Sequence, residues 1–137
     1  MTEAAGVPVG LAVDGANRHD MKLVRVTVDS TAVSRPAPSP EHPQGLCLDK
    51  GYDFAEVRRT LAEFGFTAHI RGRGEEAQAI KREAGFKARR WVVERTHSWL
   101  NRFRRILVRW DKSPENYIAF LHFACALITL RAAGLLG

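Results

Sequence analysis

A chain of 137 residues has the length of one domain, and its 45% hydrophobic and 26% charged residues are ordinary globular values that exclude disorder, collagen and coiled coil for the whole. Cys47 and Cys125 stand far apart with no CxxC around either, which excludes a disulfide framework and a cysteine-built zinc site and suits a reducing cytoplasm. The net charge of +6 is focused: residues 87–112 hold nine Lys and Arg against two Asp and Glu, an electrostatic footprint for a polyanion.

The opening MTEAAGVPVG has neither a basic n-region nor an apolar h-region, so no signal peptide is expected. Residues 7–13, VPVGLAV, read as a short strand running into a turn at Asp14–Asn17. Between His19 and Asp29 the near-alternation of Leu23, Val24, Val26 and Val28 suits a strand, while His19-Asp20 ahead of an apolar stretch suits a helix; the helix is favoured. Residues 34–45 hold four of the six prolines and predict an exposed loop of polyproline character. Its flanks are too short to stand as separate domains, so 1–137 is read as one unit.

Leu46-Cys47-Leu48 predicts a buried strand. Asp53 then reads as a helix N-cap with Glu56 as its capping-box partner, and the helix runs over Val57, Leu61 and Phe64 to stop at Gly65. Thr67–Ile70 is a second strand, and the β-α-β order makes the pair parallel. Arg71–Gly85 is Gly-rich and charged, a surface loop. Residues 88–111 predict one long helix, and Ser113-Pro114 opens another as N-cap and first helical residue. That last helix, 117–136, is apolar almost all round. A membrane span and a buried core helix both fit this pattern; His122, Thr129 and Arg131 interrupt it, and the core helix is favoured.

The 88–111 segment carries the most chemical information. At about 100° per residue, Arg90, His97, Ser98, Asn101 and Arg105 fall within roughly 60° of Glu94. Val92, Trp99, Phe103, Ile106 and Trp110 gather on the opposite side as an aromatic packing stripe. Two readings of Glu94 stand side by side. It is a solvated carboxylate paired with Arg90 and Ser98, worth a few tenths of a kcal/mol, or a metal ligand whose neighbours grip phosphates. The density of Arg89, Arg90, Arg95, Arg102, Arg104, Arg105 and Arg109 suits the second, because the planar guanidinium fork matches phosphate oxygens. Asp49 is the other candidate. It sits at the carboxyl end of a strand, where ligands gather in open α/β sheets, or it is a turn aspartate bonding nearby amides. Together Asp49 and Glu94 suggest a Mg²⁺ (or Mn²⁺) site of the kind used in phosphodiester cleavage, although two carboxylates are too few to fix two ions.

GANRHD (15–20), LDKGYD (48–53), WVVERTHSWLNRFRR (91–105) and FACALI (123–128) together resemble DDE-type transposases of bacterial insertion sequences, in the branch with a Tyr-Arg-Glu-Lys signature helix. The similarity spans roughly residues 6–130. The resemblance implies a partial RNase H-like α/β fold, a short parallel or mixed sheet lacking its first two strands, with long C-terminal helices. It implies divalent-metal catalysis of DNA cleavage and strand transfer on transposon ends and target DNA. By position Asp49 matches the second catalytic aspartate, Glu94 the catalytic glutamate and Arg90 the signature arginine. Lys87 and Asn101 stand at the signature tyrosine and lysine positions, with Arg102 or Arg105 as substitutes for the cation. The strand bearing the family's first aspartate lies upstream of the segment matched here, and Asp14 and Asp20 fall in the wrong element to replace it. The expectation is therefore the C-terminal part of a transposase, completed by the missing part in trans or by a full-length transposase, with no membrane association. The alternative is a non-catalytic DNA-binding or interaction remnant.

Overall fold

The computed structural model describes residues 1–70 and 90–136. The chain divides into two compact units, Met1–Val9 with Arg89–Gly137 as the first and Gly10–Ala88 as the second.

In the second unit a 3-10 turn, Asp20–Leu23, runs into α1, Val24–Asp29. His19 caps it, its Nδ1 accepting from the Met21 amide at 3.3 Å. Val24 and Val28, one turn apart, form the buried stripe, so helical spacing prevails over the near-alternation that also fitted a strand. Residues 34–43 contain no helix or strand and are almost entirely exposed, as their prolines require. β1, Gln44–Leu48, pairs in parallel with β2, Phe66–Ile70, from Gln44↔Phe66 to Leu48↔Ile70. Between them α2, Ala55–Glu63, buries Val57, Thr60 and Leu61. Gly65 ends this connection at φ +74°, and a Cβ there would meet Pro38 Cγ at 2.9 Å, so both backbone and neighbour demand glycine.

In the first unit α3, Arg90–Leu100, is followed by the short α4, Arg104–Leu107, and by α5, Pro114–Ala132. Ser113 caps α5, accepting from the Asn116 amide at 3.4 Å, with Pro114 as its first helical residue. Val92, Leu121, Ala124 and Ile128 form the core of this unit.

Several expectations are corrected. Residues 7–13 are not a strand: Thr2 and Pro8 make one antiparallel bridge, the Val9 amide bonds the Met1 carbonyl at 3.0 Å, and the Leu11 amide bonds Ser30 Oγ at 2.7 Å. These donors bond to turns and a side chain, and no ladder forms. β1 is half-buried at Leu46 and Leu48 and exposed at Cys47, not a buried strand. Asp53 does not cap α2; Phe54 occupies that position with no side-chain bond. The Asp53 carboxylate is held instead by Lys50 Nζ at 2.6 Å and Arg58 Nη2 at 2.7 Å, because charged donors outcompete backbone amides. The single helix over 88–111 is broken at 101–103, where Arg102 and Phe103 amides bond carbonyls three residues back and Phe103 turns extended. The break lets α4 fold onto α5, with Arg105 stacked on Phe120 at 4.5 Å and Arg109 on Tyr117 at 5.4 Å. α5 stops at Ala132, short of 136, with Gly134 at φ +70° beyond it. Among the described residues no helix is long and apolar enough to cross a membrane. The expected loop at 71–85 lies outside the described residues.

Candidate functional site

Asp49 stands immediately after β1 and opens the 3-10 turn Lys50–Tyr52, where its Oδ1 accepts from the Gly51 amide at 2.8 Å. One carboxylate oxygen therefore acts as a turn aspartate's would. The side chain is nonetheless exposed at the tip of the strand, with its second oxygen engaged by no hydrogen bond among the described residues. Tyr52, at the end of the same turn, has its phenol pKa pushed up, first by burial and then by the Asp20 and Asp49 carboxylates. Two acidic side chains from separate motifs, GANRHD and LDKGYD, thus bear on one hydroxyl. In the sequence Asp20 is set aside by its element alone. The packing of the two 3-10 turns, which adjacent apolar residues do not reveal, brings it within electrostatic reach of the Tyr52 phenol.

Glu94 is exposed on α3, as is His97 one turn on. On the opposite side of this helix Val92 is buried, and so is Thr96, only 5% exposed. The Thr96 hydroxyl donates to the Gly6 carbonyl at 2.5 Å and lies 3.1 Å from the Val92 carbonyl. Gly6 is buried with φ +90°, and a Cβ there would stand 3.2 Å from the Val92 carbonyl oxygen. Glu3 folds this N-terminal turn by accepting from the Ala5 and Val7 amides at 2.9 Å. The 3–7 turn is therefore seated on α3 through its backbone, on the side away from Glu94. Thr96 and Gly6 were not singled out from the sequence. A lone threonine in a charged helix carries no signal until its carbonyl partner, ninety positions away, is known.

The arginines separate into distinct environments. Arg95 reaches the Ala5 carbonyl at 3.3 Å and stacks on Trp91 at 4.3 Å and Trp99 at 5.8 Å. Arg105 and Arg109 stack on α5 aromatics, and Arg109 Nε also donates to the Asp111 carbonyl at 3.1 Å. Arg102 and Arg104 are exposed and have no such partners among the described residues. Arg90 begins α3, and Arg89 and Lys87 lie outside the described residues. The aromatic stripe is used unevenly: Val92 is buried, Trp99, Phe103 and Ile106 are half-buried, and Trp110 is 79% exposed.

Asp49 belongs to one compact unit and Glu94 to the other. Both offer hard oxygen donors of the type Mg²⁺ prefers. Among the described residues, however, no group of three or more His, Cys, Asp and Glu is placed to hold a metal ion. Each carboxylate is exposed in its own unit, and neither stands in such a group.

Residues 46–131, more than half of the chain and spanning both Asp49 and Glu94, match the family described as the transposase DDE domain; the chain belongs to that family. Its expected kinship is thereby established at the level of the domain. Over 138 aligned positions, covering 97% of this chain, it is 34% identical to a Burkholderia cepacia protein named as a candidate transposase for insertion sequence element IS402. The chain spans 63% of that relative's length. No solved structure matches it.

Proposed function

We propose that this chain supplies the second aspartate, Asp49, and the glutamate, Glu94, of an insertion-sequence transposase of the Tyr-Arg-Glu-Lys signature branch, acting on DNA in an RNase H-like fold. The observation that carries the reading is the helix α3. It presents one exposed carboxylate among cationic residues, and it lies inside the stretch that matches the DDE domain. A parallel β-α-β unit with an aspartate at its strand tip is consistent with the same fold.

In that role Asp49 and Glu94 would each contribute a carboxylate ligand to Mg²⁺ or Mn²⁺, which would supply activation of an attacking oxygen and stabilisation of the leaving one. The protein's own share is to orient the DNA. Exposed guanidinium groups after α3 grip backbone phosphates by paired hydrogen bonds, while those stacked on aromatic rings hold the helices in place. The DNA partners are transposon ends and target.

The test is nicking of supercoiled DNA in Mg²⁺ or Mn²⁺, with the chain alone and mixed with a full-length relative. Nicking that disappears in Glu94→Ala while duplex binding persists supports the reading. Duplex binding without nicking in either mixture selects a DNA-binding protein that carries no chemistry.

A further inference from the structure

The first unit contains a groove of about 500 Å³. Its walls are Trp99, Phe103, Ile128 and Ala132, and two guanidinium side chains line it from different elements. Arg102 comes from the turn after α3 and Arg131 from the last turn of α5. Among the described residues no carboxylate lines the groove. Both arginines are exposed, and neither guanidinium group has a hydrogen bond, ion pair or ring contact among the described residues. This sets them apart from Arg95, Arg105 and Arg109, whose guanidinium groups stack on rings within the unit.

Arg131 is unexpected where it stands. It is the one charged residue in the apolar run between Tyr117 and Leu136. A cation in the last turn of a helix is favoured by the helix dipole, but that effect needs no second guanidinium in the same groove. Two cations lining one groove, with no carboxylate beside them among the described residues, repel each other, and an anion between them removes that cost. We propose that Arg102 and Arg131 form a two-guanidinium seat for a DNA backbone phosphate, with Trp99 and Phe103 as its apolar floor. Arg131 thereby joins the DNA surface that Arg102 and Arg104 begin. This rests on the reading of the chain as a DNA-acting protein and adds an anchoring point from α5, outside the signature helix.

The experiment measures the affinity of the full chain for a labelled mixed-sequence duplex by fluorescence anisotropy across a KCl series. Each phosphate that the protein ceases to neutralise lowers the slope of log K against log salt by about 0.9. The double variant Arg102→Gln/Arg131→Gln, which empties the seat, should lower it by about that amount, and each single variant should lower it by part of it. Phenylglyoxal modification of the wild-type chain, mapped by mass spectrometry, gives an answer that does not depend on a variant folding: duplex should protect Arg102 and Arg131 from reaction. Arg131 modified equally with and without DNA, or a wild-type slope in a folded Arg131→Gln, overturns the seat while leaving DNA binding intact. A wild-type chain that binds no duplex at low salt overturns the DNA reading and this inference with it.

Discussion

Replacing Thr96 with valine tests whether the 3–7 turn holds α3 in place. The substitution keeps the shape of the side chain and deletes the hydroxyl, which lies 2.5 Å from the Gly6 carbonyl oxygen and is 5% exposed as a residue. The Val92 carbonyl keeps its helical amide, so the loss falls on Gly6, whose acceptor is left buried and unpaired. Such a group costs about 1–3 kcal/mol. Gly6→Ala attacks the same joint from the other side. A non-glycine residue in a left-handed conformation costs about 1–2 kcal/mol, and the new Cβ would stand 3.2 Å from backbone that belongs to α3. Each change should destabilise the first unit by about 2 kcal/mol, equivalent to roughly 16 °C for a unit of this size. The assay is urea unfolding followed by tryptophan fluorescence. Trp91, Trp99 and Trp110 are the three tryptophans and all lie in that unit, so the signal reports on it alone. Thr96→Ser, which retains the hydroxyl, should recover most of the loss, and the double variant should lose less than the sum of the two single ones. A Thr96→Val midpoint equal to the wild type, or full additivity with Gly6→Ala, would refute the joint.

In the second unit Leu61 is 0% exposed, so Leu61→Ala should cost about 2–5 kcal/mol, read by far-UV circular dichroism because no tryptophan lies there; a loss below about 1 kcal/mol would mean that α2 is not packed as described. The Lys50 and Arg58 bonds hold the Asp53 carboxyl below its usual range, so their contribution is fully present above about pH 4 and drains as the pH falls below it. Stability of Asp53→Asn should accordingly fall less between neutral and acid pH than that of the wild type, and identical acid profiles would count against the network. Burial pushes the Cys125 thiol up, leaving less thiolate at a given pH, while Cys47 is exposed on β1. Iodoacetamide at about pH 8 should therefore label Cys47 well before Cys125 in the native chain, with the difference vanishing in urea; equal native rates would contradict the burial.

Much of this protein could be read from its residues because the signals are local. The cap at Ser113-Pro114, the stop at Gly65 and the parallel order of the two strands depend on neighbours a few positions apart, and all three are found. The kinship with DDE transposases also lies in short motifs, which survive without any knowledge of packing. What tertiary structure decided is how each side chain divides its bonding. Asp53 has the sequence of a cap, but Lys50 and Arg58 are stronger donors than an amide. Seven arginines look alike along residues 89–109, yet aromatic rings from α3 and α5 engage Arg95, Arg105 and Arg109 and leave Arg102 and Arg104 to solvent. A continuous helical pattern over 88–111 breaks at Phe103 because folding α4 onto α5 gains ring stacking that a straight helix forgoes. Local sequence sets which conformations and charges are on offer; partners distant in the chain determine which of them a residue uses.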